Sequence, residues 1–348
     1  MMVLVTGSTG FLGTAVVERL LAHGIGRIRC FARPSSGTAR LATLASADSA
    51  DRLELTIGNL QCGADIERAL IDVDTIYHLA GAMRGPPAGI FLDTVVASKR
   101  LVDAIVPFRV KRLILVSSLS VYGLVDVPVD RLVDETTALE PYPERRDAYA
   151  HAKLRQELLV QEHAAKAGID LVILRPGTLY GRGGPDFSPR IGLAVPGCLL
   201  HFGGNNVLPL SHVSNCAEAV VLAGTNSLLA AGAYNVVDDD LPTAAEYVRR
   251  YKKEVRPIRS IRCPFFAAML LSKGVERWRV SGGQIPRVLT PYRTASLWRG
   301  HRFDNGKLRR AGWTQVVSTQ DGLAGAFDDL RARHQVASRT QAPKGSHA

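Results

Sequence analysis

Short apolar runs alternate along this chain with stretches whose apolar residues recur at helical spacing. Val3-Leu4-Val5 opens the series, and after a glycine turn a helix continues through Val16, Val17 and Leu20. Residues 28–33 read as a second strand, 53–57 as a third, 75–79 as a fourth and 112–116 as a fifth. Between them, 64–70 reads as a short helix and 91–106 has helical periodicity, while another helix runs from Tyr149 to Lys166. Strands that alternate with helices in this way imply parallel βαβ units and an α/β fold with a doubly wound parallel sheet. In such a sheet ligands sit at the carboxyl ends of the strands. The pattern is weaker further on. Residues 217–222 suggest an apolar helix and 233–237 one more strand, and a helix begins near Thr243. Residues 261–280 are apolar with basic flanks, and burial in a smaller domain is expected of them in preference to capping an apolar substrate or resting on a membrane surface. After about Arg333 apolar residues are scarce, and a disordered tail is expected.

The turn after the first strand carries glycines at 7, 10 and 13. Gly7 lets the chain turn sharply off the strand, Gly10 lets backbone approach a pyrophosphate, and Gly13 allows close helix–strand packing. The helix that starts at Phe11 and Leu12 offers free N–H groups and a positive dipole end to phosphates. Strand before and helix after make this a dinucleotide-binding turn of the Rossmann type. The residue ending the second strand then meets the adenosine ribose, where an acid suits NAD and an arginine suits the 2′-phosphate of NADP. Here that residue is Arg33, followed by Ser35 and Ser36 with Arg40 nearby, and the stretch holds no acid. NADP is therefore the expected cofactor, with NAD possible. Asn59 and Leu60 follow the third strand, where a side-chain amide can address the adenine. Ala80-Gly81 follow the fourth, where small residues let a cofactor pass close to the backbone.

Composition changes this picture little. With 348 residues and 46% hydrophobic content the chain can bury one large α/β domain plus a smaller appendage. The first strand begins at once, which leaves no room for a targeting peptide, and no apolar stretch reaches the length of a membrane span, so a cytoplasmic protein is expected. Five scattered cysteines form no C-x-x-C pair and lie beside no histidine, which argues for buried reduced thiols and against a metal site or disulfides. The net charge of +11 is spread along the chain without an aromatic-interleaved basic motif, so nucleic acid is not an expected partner. A small-molecule substrate is.

The candidate chemistry lies at the end of the fifth strand and in the helix that follows. Ser117-Ser118-Leu119-Ser120 emerges from the carboxyl edge, and Tyr149 and Lys153 lie one turn apart on one helix face. A lysine ammonium beside a phenol favours the phenolate and brings its pKa toward neutrality. His78, inside an apolar strand, is read as packed rather than catalytic.

These motifs together resemble the extended short-chain dehydrogenase/reductase family. The matching residues are the Gly7/Gly10/Gly13 turn, Val116-Ser117-Ser118 with Val121-Tyr122-Gly123, Tyr149 with Lys153, and Leu174-Arg175-Pro176-Gly177-Thr178-Leu179-Tyr180-Gly181. The resemblance runs from residue 2 to about residue 330. It implies Ser118, Tyr149 and Lys153 as catalytic residues, with Lys153 also on the nicotinamide ribose and Pro176 lining the nicotinamide. The implied reaction is hydride exchange between nicotinamide and a secondary alcohol or ketone. Two departures stand out: Thr94 where many members carry asparagine, and Thr178 where nucleotide-sugar epimerases often do. The second brings the pattern nearer to the dihydroflavonol-reductase and 3β-hydroxysteroid-dehydrogenase branch. A nucleotide-sugar epimerase or dehydratase with tightly bound NAD is the alternative, and a non-catalytic cofactor-sensing protein a second. The resemblance also implies a homodimer and a division into a core at 1–180, a mainly substrate-binding subdomain at 181–330 and a tail at 331–348.

Overall fold

The computed structural model describes residues 2–45, 50–280 and 289–340. Its elements in chain order are β1 (Met2–Thr6), α1 (Phe11–Ala22), β2 (Arg27–Ala32), α2 (Ala39–Leu44), β3 (Leu53–Ile57), α3 (Gly63–Leu70) and β4 (Val73–His78). Then come α4 (Pro87–Phe91), α5 (Ala97–Ile105), β5 (Arg112–Val116), α6 (Ala148–Ala167), β6 (Asp170–Pro176), β7 (Thr178–Tyr180), β8 (Gly192–Val195), β9 (Cys198–His201) and β10 (Leu210–His212). The chain finishes with α7 (Val213–Thr225), β11 (Gly232–Val236), α8 (Ala244–Glu254), β12 (Ser260–Arg262), α9 (Phe265–Val280), α10 (Pro291–Trp298), α11 (Gly306–Arg310) and α12 (Thr319–Thr340).

The chain divides into two compact units. The first comprises residues 1–179, 209–238 and 301–316. Its core is a seven-stranded sheet in the order β11-β6-β5-β4-β1-β2-β3, parallel throughout. Strand order reverses at β1, with β2 on one side and β4 on the other, so the carboxyl ends of β1 and β4 frame the crevice where such sheets bind ligands. The apolar runs are continuous because both faces are covered. Val3 and Val5 of β1 face a core shared with α1 and α7, whereas Met2 and Leu4 face the one shared with α3 and α5. Buried apolar area on this scale, worth about 25 cal/mol per Å², is what holds the sheet between its helices.

Two local readings change. The 91–106 stretch is helical through Ile105 as its periodicity predicts, but Leu92–Val96 within it is π-helical and joins α4 to α5, a wider turn of the kind that recurs at functional sites. Thiol burial is also incomplete: Cys30 and Cys216 are buried, Cys62 is exposed, and Cys198 and Cys263 lie between.

The second unit comprises residues 180–208, 239–300 and 317–348. It holds the three-stranded sheet β12-β9-β8 and a small core of Phe202, Ala268 and Trp298. Helix α8 starts where the sequence places it, with Thr243 and Glu246 closing a capping box. Residues 331–340, assigned to a disordered tail, instead continue α12. The reason is polar anchoring: His334 Nε2 lies 2.6 Å from Asp186 Oδ2, and Arg333 donates to the Gly184 carbonyl at 2.7 Å. The rest of that tail lies outside the described residues. Among the described residues, no helix is long and apolar enough to cross a membrane.

Candidate active site

The glycine turn is built as its spacing requires. Gly7 has φ +72°, and a Cβ there would stand 2.9 Å from the backbone nitrogen of Ala80 at the end of β4. A Cβ on Gly13 would stand 2.0 Å from the Gly7 carbonyl oxygen, so the first turn of α1 lies directly on the loop. Gly10 is the N-cap of α1 and brings no side chain to its first N–H groups, which stay available to an anion.

Beside this turn lies a cleft of about 780 Å³, open mouth included. Of the residues assigned to the cofactor, Gly7, Gly10, Arg33, Asn59, Leu60 and Ala80 line it. Phe11, Leu12, Gly13 and Pro176 are not in its wall: the first three form the start of α1, and Pro176 ends β6. Ser36 and Gly81, marked by their strand ends, line it as well, and Thr9, Phe31, Gln61 and Asp93 join the lining without a signal in the sequence that marks them for it. The last matters most. Arg33 Nη1 donates to Asp93 Oδ2 at 3.1 Å, and Gln61 Nε2 donates to Asp93 Oδ1 at 3.1 Å. The stretch around Arg33 holds no acid, yet the fold brings one to it. Asn59 spends its side-chain oxygen on the Gln61 backbone N–H at 3.0 Å.

A second cluster sits where β5 and β6 end. Ser118 is extended (φ −164°, ψ 151°) and accepts from the Ser120 N–H at 3.1 Å, capping a short 3-10 turn. Helix α6 begins one residue before Tyr149, capped by Asp147, which accepts from the Ala150 N–H at 3.0 Å. That start sets the phenol beside the Ser118 hydroxyl. Burial raises the Tyr149 pKa, and the Ser118 side chain works against that rise. Lys153 is buried, its pKa lowered to about 8 by desolvation while Glu157 pulls it back up. Its ammonium donates to the Val116 carbonyl and to Gln156 Oε1, both at 2.9 Å. Lys153 also adjoins the cleft, since a Cβ on Gly81, a cleft residue, would lie 3.3 Å from its Nζ.

Gln156 extends that contact inward. Its amide nitrogen donates to Ser98 Oγ at 2.7 Å and to the Ala80 carbonyl at 3.3 Å. His78 is fully buried between Thr6 Oγ1 and Ser98 Oγ, each at 2.7 Å, and burial holds its pKa down at about 3. A neutral, fully bonded imidazole of this kind is a structural group. Arg175, from the Leu174–Gly181 motif, is buried as well and pairs with Glu157 of α6, with Nε to Oε1 at 3.2 Å. Its Nη1 donates to the Tyr122 hydroxyl at 2.8 Å, which in turn donates to Asn235 Oδ1 at 2.7 Å. Ser117 Oγ donates to the same Glu157 carboxylate. The network ties β5, α6, β6 and β11 together under Ser118, Tyr149 and Lys153.

Residues 3–236 match the family model described as the NAD dependent epimerase/dehydratase family. The chain belongs to that family. It is accordingly an enzyme, on a fold whose solved members include dinucleotide complexes. A 3β-hydroxysteroid-dehydrogenase/decarboxylase (isoform 1) of Arabidopsis thaliana is 25% identical, the match covering 95% of this chain and 81% of that protein. Isoform 2 is 26% identical over 94% of this chain, but the chain spans only 61% of its length. A ketoreductase of Stigmatella aurantiaca, named for a farnesyl dihydroquinoline oxide, is 24% identical over 93% and 95% of the two chains. Among solved structures, the UDP-glucose 4-epimerase of Thermus thermophilus in complex with NAD superposes with a TM-score of 0.70 at 21% identity, covering 95% of this chain and 99% of that one. That likeness is one of fold.

Proposed function

We propose that the protein is an NADP-linked oxidoreductase that interconverts a secondary alcohol and a ketone on a mid-sized apolar or ring-bearing substrate. The observation that carries this reading is the juxtaposition of the Tyr149 phenol and Ser118 at the carboxyl edge of β5, with Lys153 one helical turn along α6. The cleft suits a dinucleotide, because its floor is a glycine loop on which a single added Cβ would collide with β4. Gly7, Gly10 and the first N–H groups of α1 would hold the diphosphate, Arg33 the adenosine ribose and its 2′-phosphate, and Lys153 the second ribose.

Bound nicotinamide supplies the hydride donor and acceptor. The protein's own part is proton transfer and orientation. In the oxidising direction the carbinol carbon loses hydride while its hydroxyl proton passes to the Tyr149 oxygen, and in the reducing direction both steps reverse. Ser118 holds the substrate oxygen during that exchange. A charged Lys153 brought to the phenol would favour the phenolate and so lower the barrier to the proton step. Its ammonium here is held by the Val116 carbonyl and Gln156. The steroid and quinoline names of the relatives support a lipophilic substrate, and exposed Leu92, Val96 and Leu158 support pairing of two copies along the π-helical segment and α6.

Replacing Tyr149 with Phe tests the assignment. Turnover with NADPH and a panel of cyclic ketones is expected to fall by about two to four orders of magnitude with cofactor affinity nearly unchanged. Retained turnover would overturn it. A second reading, epimerase or dehydratase chemistry on tightly held NAD, is favoured by Asp93, an acid able to accept from the ribose hydroxyls of NAD. Stoichiometric NAD released on denaturing freshly purified protein would establish that reading instead.

A further inference from the structure

The sequence pattern predicts that helix α9 is buried, and most of its apolar surface is not. Ala268 and Ser272 are fully covered, but Phe266 is 67% exposed, Leu270 64%, Leu271 46% and Trp278 57%. At about 100° per residue these four apolar side chains fall within an arc of roughly 140° on one side of the helix. Lys273 and Arg277, both exposed, flank Phe266 at one end of that arc, and the exposed Glu276 lies about 60° beyond Lys273 on the same side, outside the arc. Just before the helix, Ile261 is 60% exposed beside exposed Arg259 and Arg262. Four large apolar side chains left in water on one helix face are a binding surface rather than scattered exposure.

We infer that this face of α9 docks on the surface of an anionic lipid bilayer. Charge decides the occupant. An apolar arc with two cations at one end, the single acid outside it and a tryptophan among the exposed rings is the pattern of a helix lying in the headgroup plane. The apolar side chains enter the acyl boundary while Lys273, Arg277, Arg259 and Arg262 meet lipid phosphates. A second copy of the chain fits less well, because a two-fold contact would gather Arg259, Arg262, Lys273 and Arg277 of each copy against the single acid Glu276, leaving like charges in excess. The helix has sixteen residues and lies on the bilayer without crossing it. The inference stands apart from the oxidoreductase reading, although a lipid-dissolved substrate would serve both.

The test uses the full chain with extruded vesicles of phosphatidylcholine, alone or with about 30 mol% phosphatidylglycerol, an anionic content that gives such surfaces their potential. Trp298 and Trp313 are each 1% exposed, so a change in tryptophan emission on binding reports Trp278. Co-sedimentation with the anionic vesicles is expected, with a blue shift in emission and about tenfold weaker binding at high salt. The Phe266→Ser/Leu270→Ser double variant and, separately, Lys273→Glu/Arg277→Glu are each expected to lose about tenfold or more in vesicle affinity while binding NADPH like the parent. Absence of binding to anionic vesicles overturns the proposal. So does binding that both variants leave unchanged. A shift of the Phe266→Ser/Leu270→Ser variant from dimer to monomer in sedimentation, without vesicle binding by the parent, would assign the face to a second copy.

Discussion

Arg33 Nη1 lies 3.1 Å from Asp93 Oδ2, an ion pair that joins the end of β2 to the π-helical segment between α4 and α5 across the mouth of the cleft. Both side chains are partly exposed, the arginine at 60% and the aspartate at 35%. Asp93 therefore competes for the guanidinium that a 2′-phosphate would use.

Cofactor selection follows from that competition. An exposed ion pair of this kind is worth about 0.5–1 kcal/mol, so Asp93→Asn is expected to raise NADPH affinity about two- to fivefold. Arg33→Ala should lower it by about tenfold or more while leaving NADH affinity within about twofold. Fluorescence titration of both cofactors decides the matter. An Asp93→Asn variant that loses NADH affinity and gains none for NADPH would make Asp93 the ribose ligand of an NAD enzyme.

Lys153 sets a pH limit. Its pKa is lowered to about 8, so the charged form that the proposed mechanism uses is lost as pH rises through that value in the free enzyme. The kcat/KM of the oxidoreductase reaction is expected to fall above about pH 8. Gln156 Oε1 stabilises the charged ammonium, and Gln156→Leu removes that acceptor, so the falling limb should move to lower pH. A limb that stays in place would show that Gln156 does not position the lysine.

The Glu157–Arg175 pair predicts a stability loss more than a catalytic one. Both side chains are buried, and Glu157 also accepts from Ser117. Glu157→Gln leaves the Arg175 charge without its partner, at a cost of about 3–5 kcal/mol. Urea denaturation followed by circular dichroism measures this directly. A cost below about 1 kcal/mol would mean that the network is not the clamp described here.

His78 shapes the acid limb of stability. Its folded pKa of about 3 lies below the ordinary histidine value because burial disfavours the imidazolium. Between pH 6.5 and 3 the unfolded chain therefore binds the proton that the native chain refuses, and stability drops by about 1.4 kcal/mol per pH unit from this group. Its contribution is complete above pH 6.5 and is lost as pH falls toward 3. A folded His78→Gln variant should show a shallower acid limb in urea midpoints measured between about pH 7 and 4. An equal slope would remove His78 from the account.

The sequence by itself determined the parallel sheet and its cofactor loop. A strand covered on both faces leaves a continuous apolar run, so β5 has the bounds that the pattern predicts, while β3, at the sheet edge and half-exposed, keeps its predicted bounds through alternating Leu53, Leu55 and Ile57. Gly7 and Gly13 were legible because only an absent Cβ permits their contacts with Ala80 and with each other. These are local constraints, written into consecutive residues.

Tertiary structure alone decided the contacts between residues far apart in the chain. No spacing rule links Arg33 to Asp93, Arg175 to Glu157, or Tyr122 to Asn235, because each pair meets only after separate strands and helices pack on one sheet. The exposure of α9 was hidden for a related reason. A helix with apolar residues on several sides can turn any of them inward, and its neighbours choose which: here they cover Ala268 and Ser272 and leave Phe266, Leu270 and Trp278 in water. Pattern records which residues prefer burial, and packing decides which of them obtain it.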